Sequence, residues 1–321
     1  MFKIVVIGHG RIGKIHVSNI QQMKDAQVAS IITSKGVFFD EKDRVSIEHI
    51  LPDPEIDAVV VCCSTESSVG YIKLALEFNK HVFCEKPVSN SIEQLFKIKQ
   101  LANKSSCHLM VGFNRRFDAS FIRLKEAIVK KEIGELEVLR ITSMDPDLPS
   151  LDYLKTSNGI FHDMMIHDFD MINWLTESTV ANVNVTGRRI VNDNLGDSKD
   201  FDTILLNADT TSGVLCQVLC RRQSSYGYEQ TIEAYGNNGA IVAENQSSDS
   251  TVLKTSQGIH RSPIPYFFEE RYQQSYVTEL QSFVQSIQRG QSLKPSIDDA
   301  IAACSFANTV HRNFLTKTQE G

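Results

Sequence analysis

Hydrophobic positions along the first third of the chain follow two alternating rhythms. The runs FKIVVIG, VASIIT, AVVVCC, HVFCE and HLMVGF are almost continuously apolar, the pattern of strands buried on both faces. Between them, RIGKIHVSNIQQM, SVGYIKLALEFN and SIEQLFKIKQLANK repeat their apolar residues at three- and four-residue spacing, as helices with one buried face do. Strand and helix in alternation predict right-handed crossovers and a doubly wound parallel sheet, an α/β domain. One unit is short: after VASIIT, the segment SKGVFFDEKDRVSIEHIL leaves little room for a full crossover helix.

Near residue 117 the rhythm changes. A helix, FIRLKEAIVKKEI, is followed by LEVLRITSM and by a second helix predicted over about 161–175. Then VANVNVTGRR, DTILLNADT, SGVLCQVLCRR, YEQTIEAYG and GAIVAEN alternate apolar and polar residues, as a sheet covered on one face requires. The pattern therefore predicts an α/β domain over 1–116. Over 117–321 it predicts an α+β domain with a mainly antiparallel open sheet, its C-terminal helices packing back on the first domain. Those helices are YVTELQSFVQSIQRG and SIDDAIAACSFANTVHRNFL, the second with Ser296 as N-cap after Pro295. The polar stretch 192–202 reads as a hairpin loop.

Composition narrows the partners. The chain has 321 residues, enough for two cores, and 33 Lys plus Arg against 39 Asp plus Glu give a net charge of -6. That balance disfavours nucleic acid. No apolar run reaches the roughly 20 residues that span a bilayer, and MFKIVVIG begins a strand with no room for a signal peptide, so a cytoplasmic protein without a membrane partner is expected. The seven cysteines are odd in number and lack C-x-x-C spacing, which reads as reduced core thiols.

The first strand ends in VIGHGRIGKIH, which sets Gly8, Gly10 and Gly13 in G-x-G-x-x-G spacing at the opening of a helix. Gly8 allows the tight turn, Gly10 lets backbone approach a pyrophosphate, Gly13 permits close helix packing, and the helix N-terminus favours the anion. Inside a βαβ unit the motif predicts a dinucleotide site of Rossmann type. The cofactor set is Gly8, Gly10, Arg11, Ile12 and Gly13, with Ser64 and Thr65 after a later strand and Glu85 and Lys86 in HVFCEKP. At the second strand's end, where a ribose-binding acid is expected, stand Thr33, Ser34 and Lys35. NADP binding through hydroxyls and an ammonium, and NAD binding with Lys35 in solvent, are both open.

Lys86 closes a predicted parallel strand, on the edge where such sheets bind ligands, and Pro87 stops the ladder behind it. In NGIFHDMMIHDFDMINWL, a continuous helix would place Asp163, His167, Asp170 and Trp174 on one face, and Met165, Phe169 and Ile172 on a core face. A carboxylate four residues before a histidine supports a general base. A metal pair, or a helix-start acid with a core histidine, fits the same spacing.

Together these residues resemble the oxidoreductase family that includes glucose-fructose oxidoreductase and inositol 2-dehydrogenase, the inositol dehydrogenase branch in particular. The glycine motif, VFCEKP, VGFNRRFD, DPDLP and GIFHDMMIHDFDM stand in the family's order over nearly the whole chain. The resemblance implies a catalytic set of Lys86, Asp163 and His167, with Asn114, Arg115, Asp145, Asp170 and Tyr228 near the substrate. Ser68 and Met144 depart from the pattern, standing where many members carry His and Arg.

The implied reaction is NAD- or NADP-dependent oxidation of a secondary alcohol of a cyclic polyol or sugar, with inositol foremost. His167 would accept the hydroxyl proton, Lys86 steady the alkoxide and Asp163 orient the base, with no metal. A homo-oligomer, dimer or tetramer, is implied as well. Two other readings stand beside this one: a redox-neutral glycosidase using bound NAD, and a non-catalytic dinucleotide sensor. Net NAD(P)H production from a free polyol separates the dehydrogenase from the glycosidase, and a sensor has no use for Lys86, Asp163 and His167 together.

Overall fold

Apolar runs too short for helices, separated by amphipathic segments, become parallel strands because each crossover helix returns the chain to the same end of the sheet. In the computed structural model, which describes residues 1–33, 36–38, 47–191 and 200–319, the elements run in that order. They are β1 (Phe2–Ile7), α1 (Arg11–Gln22), β2 (Ala26–Thr33), β3 (Gly36–Phe38), α2 (Ile47–Ile50), β4 (Ala58–Val61), α3 (Thr65–Glu77), β5 (His81–Glu85), α4 (Ile92–Lys104) and β6 (Leu109–Gly112). The sheet order is β3-β2-β1-β4-β5-β6, with β2, β1, β4, β5 and β6 parallel. The short unit after β2 gives an antiparallel edge strand, β3, and the four-residue α2. A neighbouring antiparallel strand needs no crossover helix, which suits so short a segment.

The chain divides into two units, Met1–Phe117 with Gln274–Ile301, and Asp118–Gln273 with Ala302–Gly321. The core of the first joins Ile4, Val6, Val60, Phe83 and Met110 of the sheet to Leu280, Phe283 and Val284 of the helix Gln273–Gln288. Phe83 and Phe283 meet edge to face at 5.8 Å. Each such side chain, fully buried, contributes about 1.5–3 kcal/mol. The Arg116 guanidinium lies 3.0 Å from Asp299, whose other oxygen accepts from the Ser296 amide at 2.6 Å and hydroxyl at 2.9 Å. Ser296 does stand before the last helix, Ile297–Gln319, but its hydroxyl donates to Asp299. Burial pushes the Asp299 carboxyl up; Arg116 and the Ser296 donors outweigh it and hold the group below its ordinary value.

The second unit contains α5 (Ala119–Val129), β7 (Leu136–Met144), α6 (Leu151–Thr156), α7 (Gly159–Asp163), α8 (Ile166–Thr176), β8 (Val180–Arg188), β9 (Thr203–Thr210), β10 (Leu215–Arg221), β11 (Glu229–Gly236) and β12 (Gly239–Ala243). Its sheet order is β12-β11-β7-β10-β9-β8. All pairs are antiparallel except β7 with β10, because β7 inserts between the β8-β9-β10 meander and the β11-β12 hairpin. Burial alternates along β9 and β10 as the sequence pattern predicts. Phe169 of α8 stacks on Phe306 of the last helix at 4.4 Å.

Two expectations are corrected here. The helix expected over about 161–175 is two helices, α7 and α8, parted at Met164–Met165, where the Met164 and Met165 amides both donate to the Ile160 carbonyl. This break interrupts the 3.6-residue register, so the shared face predicted for Asp163 and His167 is not that of one helix. The core face does form: Met165, Phe169 and Ile172 are fully buried. A further hairpin, Val252–Thr255 with Gly258–Arg261, is absent from the sequence reading because its side chains are almost all exposed and carry no apolar alternation. The loop expected at 192–202 joins the antiparallel neighbours β8 and β9, and residues 192–199 lie outside the described residues. The seven cysteines are free thiols, and Cys84, Cys107, Cys216, Cys220 and Cys304 are buried. No described helix is long and apolar enough to cross a membrane.

Candidate active site

In the first unit, parallel pairing carries the carboxyl ends of the strands to one edge. There Ile7 of β1 pairs with Ile32 of β2 and Val61 of β4, and Val61 pairs with Cys84 of β5. The turn Gly8–Gly10, the start of α3 at Ser64–Thr65, the pair Glu85–Lys86 and the short helix Asn114–Phe117 all follow strands on that edge. Lys86 is half-buried and its peptide bond to Pro87 is cis. Asn114 and Arg115 are buried. Thr33 closes β2; Ser34 and Lys35 lie outside the described residues.

The three motif glycines have separate physical reasons. Gly8 has φ +95°, and a Cβ there would fall 2.5 Å from the Cys62 carbonyl oxygen. A Cβ at Gly13 would fall 2.0 Å from the Gly8 carbonyl oxygen, so the helix rests directly on the turn. At Gly10 a Cβ would meet no atom within 4 Å. Its side is open, and the helix that begins at Arg11 has no side-chain cap and no acid in its first turn. A helix start with no acid in its first turn and open space before it suits an incoming pyrophosphate, so Gly10, Arg11 and Ile12 fit a dinucleotide.

In the second unit, Asp145, Asp163 and Tyr228 lie at one end of the sheet. Asp145 follows β7 and its amide donates to the Arg221 carbonyl at 3.0 Å, while Tyr228 immediately precedes β11, whose Glu229 pairs with Met144. Asp163, the last residue of α7, accepts from the Tyr153 hydroxyl at 2.7 Å and from Arg222 Nη1 at 3.1 Å. Arg222 is fully buried and its Nη2 donates to Asp200 at 3.0 Å. Tyr153, though 48% exposed, turns its hydroxyl inward; burial, then Asp163 and more weakly Asp145, push that phenol well up from its ordinary value. His167 is half-buried in the first turn of α8, and Asp170 is buried one turn on. Ser68 is buried in α3 with its hydroxyl donating to the Ser64 carbonyl at 3.1 Å.

Residues 2–113 match the family described as "Oxidoreductase family, NAD-binding Rossmann fold", and residues 121–242 match the "GFO/IDH/MocA C-terminal domain". The chain belongs to the GFO/IDH/MocA oxidoreductase family. It is 35% identical to an inositol 2-dehydrogenase of Rhizobium meliloti over 98% of this chain and 97% of that protein. To a myo-inositol 2-dehydrogenase of Thermotoga maritima it is 38% identical, over 92% and 91% of the two chains. A crystal structure of scyllo-inositol dehydrogenase from Lactobacillus casei, with bound NAD(H) and scyllo-inositol, superposes with a TM-score of 0.88 at 25% identity, covering 99% of this chain and 98% of that one. This member of the family is accordingly an oxidoreductase with an NAD-binding Rossmann domain followed by a mixed-sheet domain.

Sequence reasoning missed Tyr153, Asp200 and Arg222. A signal existed for the arginine: Arg222 continues the inward series Cys216, Val218, Cys220, where a charge must find carboxylates. Its partners, 59 and 22 residues away, carry no local signature.

Arg222→Met should lower stability by about 3–5 kcal/mol in urea unfolding, since it leaves Asp163 and Asp200 without their buried counter-charge. Gly10→Ala should leave the melting temperature near wild type while weakening NAD binding at least about tenfold, because the new methyl occupies only the open approach to the turn. Gly13→Ala should instead destabilise the fold by more than about 2 kcal/mol, through overlap with the Gly8 carbonyl. Isothermal titration and thermal melts separate these two outcomes.

Proposed function

We propose that this oxidoreductase oxidises a secondary alcohol of a cyclic polyol, inositol foremost, in the manner of an inositol 2-dehydrogenase. One observation carries the reading: the likeness to inositol 2-dehydrogenases runs through both units, and so includes the residues that follow the dinucleotide domain. Bound NAD supplies the hydride acceptor. Gly10, Arg11 and Ile12 would hold its pyrophosphate on the turn that Gly8 and Gly13 shape, with Thr33, Ser64, Thr65 and Glu85 along the same edge.

His167 takes the hydroxyl proton as general base. The Lys86 ammonium steadies the oxygen while it carries negative charge, and on reversal polarises the ketone. Asp163, pinned by Tyr153 and Arg222, supports the electrostatics around the histidine. Asn114, Arg115, Asp145, Asp170 and Tyr228 supply donors and acceptors for the remaining ring hydroxyls. The reaction as written requires no metal. Outward apolar side chains of the second sheet, Leu205, Leu215 and Val242, support assembly of identical copies, and the acidic balance and free thiols support a cytoplasmic location.

Lys86→Ala and His167→Ala should each lower turnover by at least about a hundredfold while NAD binding survives, the scale of lost acid-base or electrostatic help. Oxidation should also rise with pH through the range in which an imidazole loses its proton. Initial rates with a panel of inositols and aldoses test the substrate class, and absence of net NADH from every free polyol would refute the reading.

The reading extends to NADP, because the residues after β2 in sequence, Ser34 and Lys35, carry no carboxylate to repel a 2′-phosphate. Charge-assisted hydrogen bonds to such a group contribute about 1.5–3 kcal/mol each before desolvation. Measurable NADP-linked oxidation is expected, with Lys35→Ala raising the NADP Michaelis constant more than the NAD constant. Ser34→Asp should shift preference toward NAD. Strict NAD dependence, unchanged by Lys35→Ala, would leave Lys35 a surface charge.

A further inference from the structure

Glu279 sits in the middle of the helix Gln273–Gln288, next to Leu280 and one turn from Phe283 in the core of the first unit. The residue is fully buried, and among the described residues neither of its carboxyl oxygens has a hydrogen-bond partner. His16 of α1 is also fully buried, and its Nε2 lies 2.6 Å from Glu85 Oε1. One donor or acceptor atom from each of His16, Glu85 and Glu279 lies within 4.8 Å of the other two. Glu85 ends β5, and the next residue is Lys86. Around this cluster stand the edges of the Phe83 and Tyr276 rings, 5.2 and 5.8 Å from the His16 ring. The thiol of Cys62, just past β4, is pushed well up by burial first, then by Glu85 and more weakly by Cys84, Cys63 and Glu279.

A carboxylate with no donor in such a place costs several kcal/mol, and a proton is the cheapest way to remove that charge. Two ionised carboxylates this close would also repel, and Glu85 is already committed to His16. We propose that Glu279 is a positioning residue for Lys86: it carries a proton beside the His16–Glu85 pair and so keeps that pair, and the end of β5, in one arrangement. The proposal rests on the reading of Lys86 as the catalytic ammonium. Burial and then the Glu85 charge push the Glu279 carboxyl well above its ordinary range, in line with this geometry. A metal ion bound by the same three residues is the competing occupant. It is disfavoured because the His16–Glu85 hydrogen bond already uses the donor atoms, and because His16 and Glu279 are sealed from solvent.

The sign of the linkage is fixed. A carboxyl whose folded pKa lies above its unfolded value binds more protons in the folded state, so stability falls as pH rises from the ordinary carboxylate range toward the raised pKa. Glu279→Gln keeps the shape and a donor but cannot ionise, so it should remove this slope. The deciding experiment combines infrared spectroscopy with kinetics on the full-length enzyme. Wild type should show a protonated-carboxyl C=O band at neutral pH that Glu279→Gln lacks, and Glu279→Gln should retain turnover within about threefold while its stability loses the fall with rising pH. Glu279→Leu should lower turnover about tenfold or more, and should cost nothing further in a Lys86→Ala background, as non-additive partners behave. Absence of the band, or equal cost in both backgrounds, would overturn the proposal. So would a stoichiometric divalent ion in purified wild type that Glu279→Gln lacks. If Lys86→Ala alone proves harmless, it is the catalytic reading that fails, and the band still reports on Glu279 by itself.

Discussion

Parallel pairing of β2, β1, β4, β5 and β6 sends five carboxyl ends to one edge, and the chemistry of the first unit depends on that constraint. Four of those ends, all but that of β2, turn into a helix within a few residues. The turns therefore hold groups outside the ladder: the helix-start amides of α1, hydroxyls at α3, a lysine after β5 and a buried asparagine and arginine after β6. The glycine turn is the tightest of these. Gly13 lies against the Gly8 carbonyl and Gly8 against the Cys62 carbonyl, so α1, β1 and the end of β4 meet backbone to backbone. Of the three, Gly10 alone faces open space, so two of the motif's glycines serve packing and the third leaves room beside the turn.

Buried charge is the second organising constraint. Arg222 lies between Asp163 and Asp200, Arg271 pairs with Asp118, and Arg116 pairs with Asp299. In each case a helix end or loop is tied to a residue far away in sequence. Asp118 caps α5 through its other oxygen, which accepts from the Ser120 and Phe121 amides, so one carboxylate secures both a helix start and a distant arginine. Glu279 differs from these acids: among the described residues its carboxyl has no hydrogen-bond partner, and in the arrangement proposed above a proton takes that place.

The candidate site was readable where its residues are local in sequence. G-x-G-x-x-G and HVFCEKP each fit within one strand-to-turn junction, so spacing alone suggests their chemistry. The histidine helix was read less well. Its core face, Met165, Phe169 and Ile172, follows period 3.6 and is buried, but a break at Met164–Met165 separates Asp163 from His167. No residue there is proline or glycine, so nothing in the local sequence marks the break.

By itself, the sequence determined most of the segments that become strands and helices, the parallel character of the first sheet, and the family, because these follow from periodicity and from short motifs. Only the tertiary structure decided that β7 runs parallel to β10, that Arg222 and Tyr153 hold Asp163, and that Glu279 meets His16 and Glu85. The physical reason is the same for all three. Strand order and buried polar partners are chosen by the free energy of burying groups from distant parts of the chain together, and a single residue in an amphipathic pattern carries no record of which distant group it will meet.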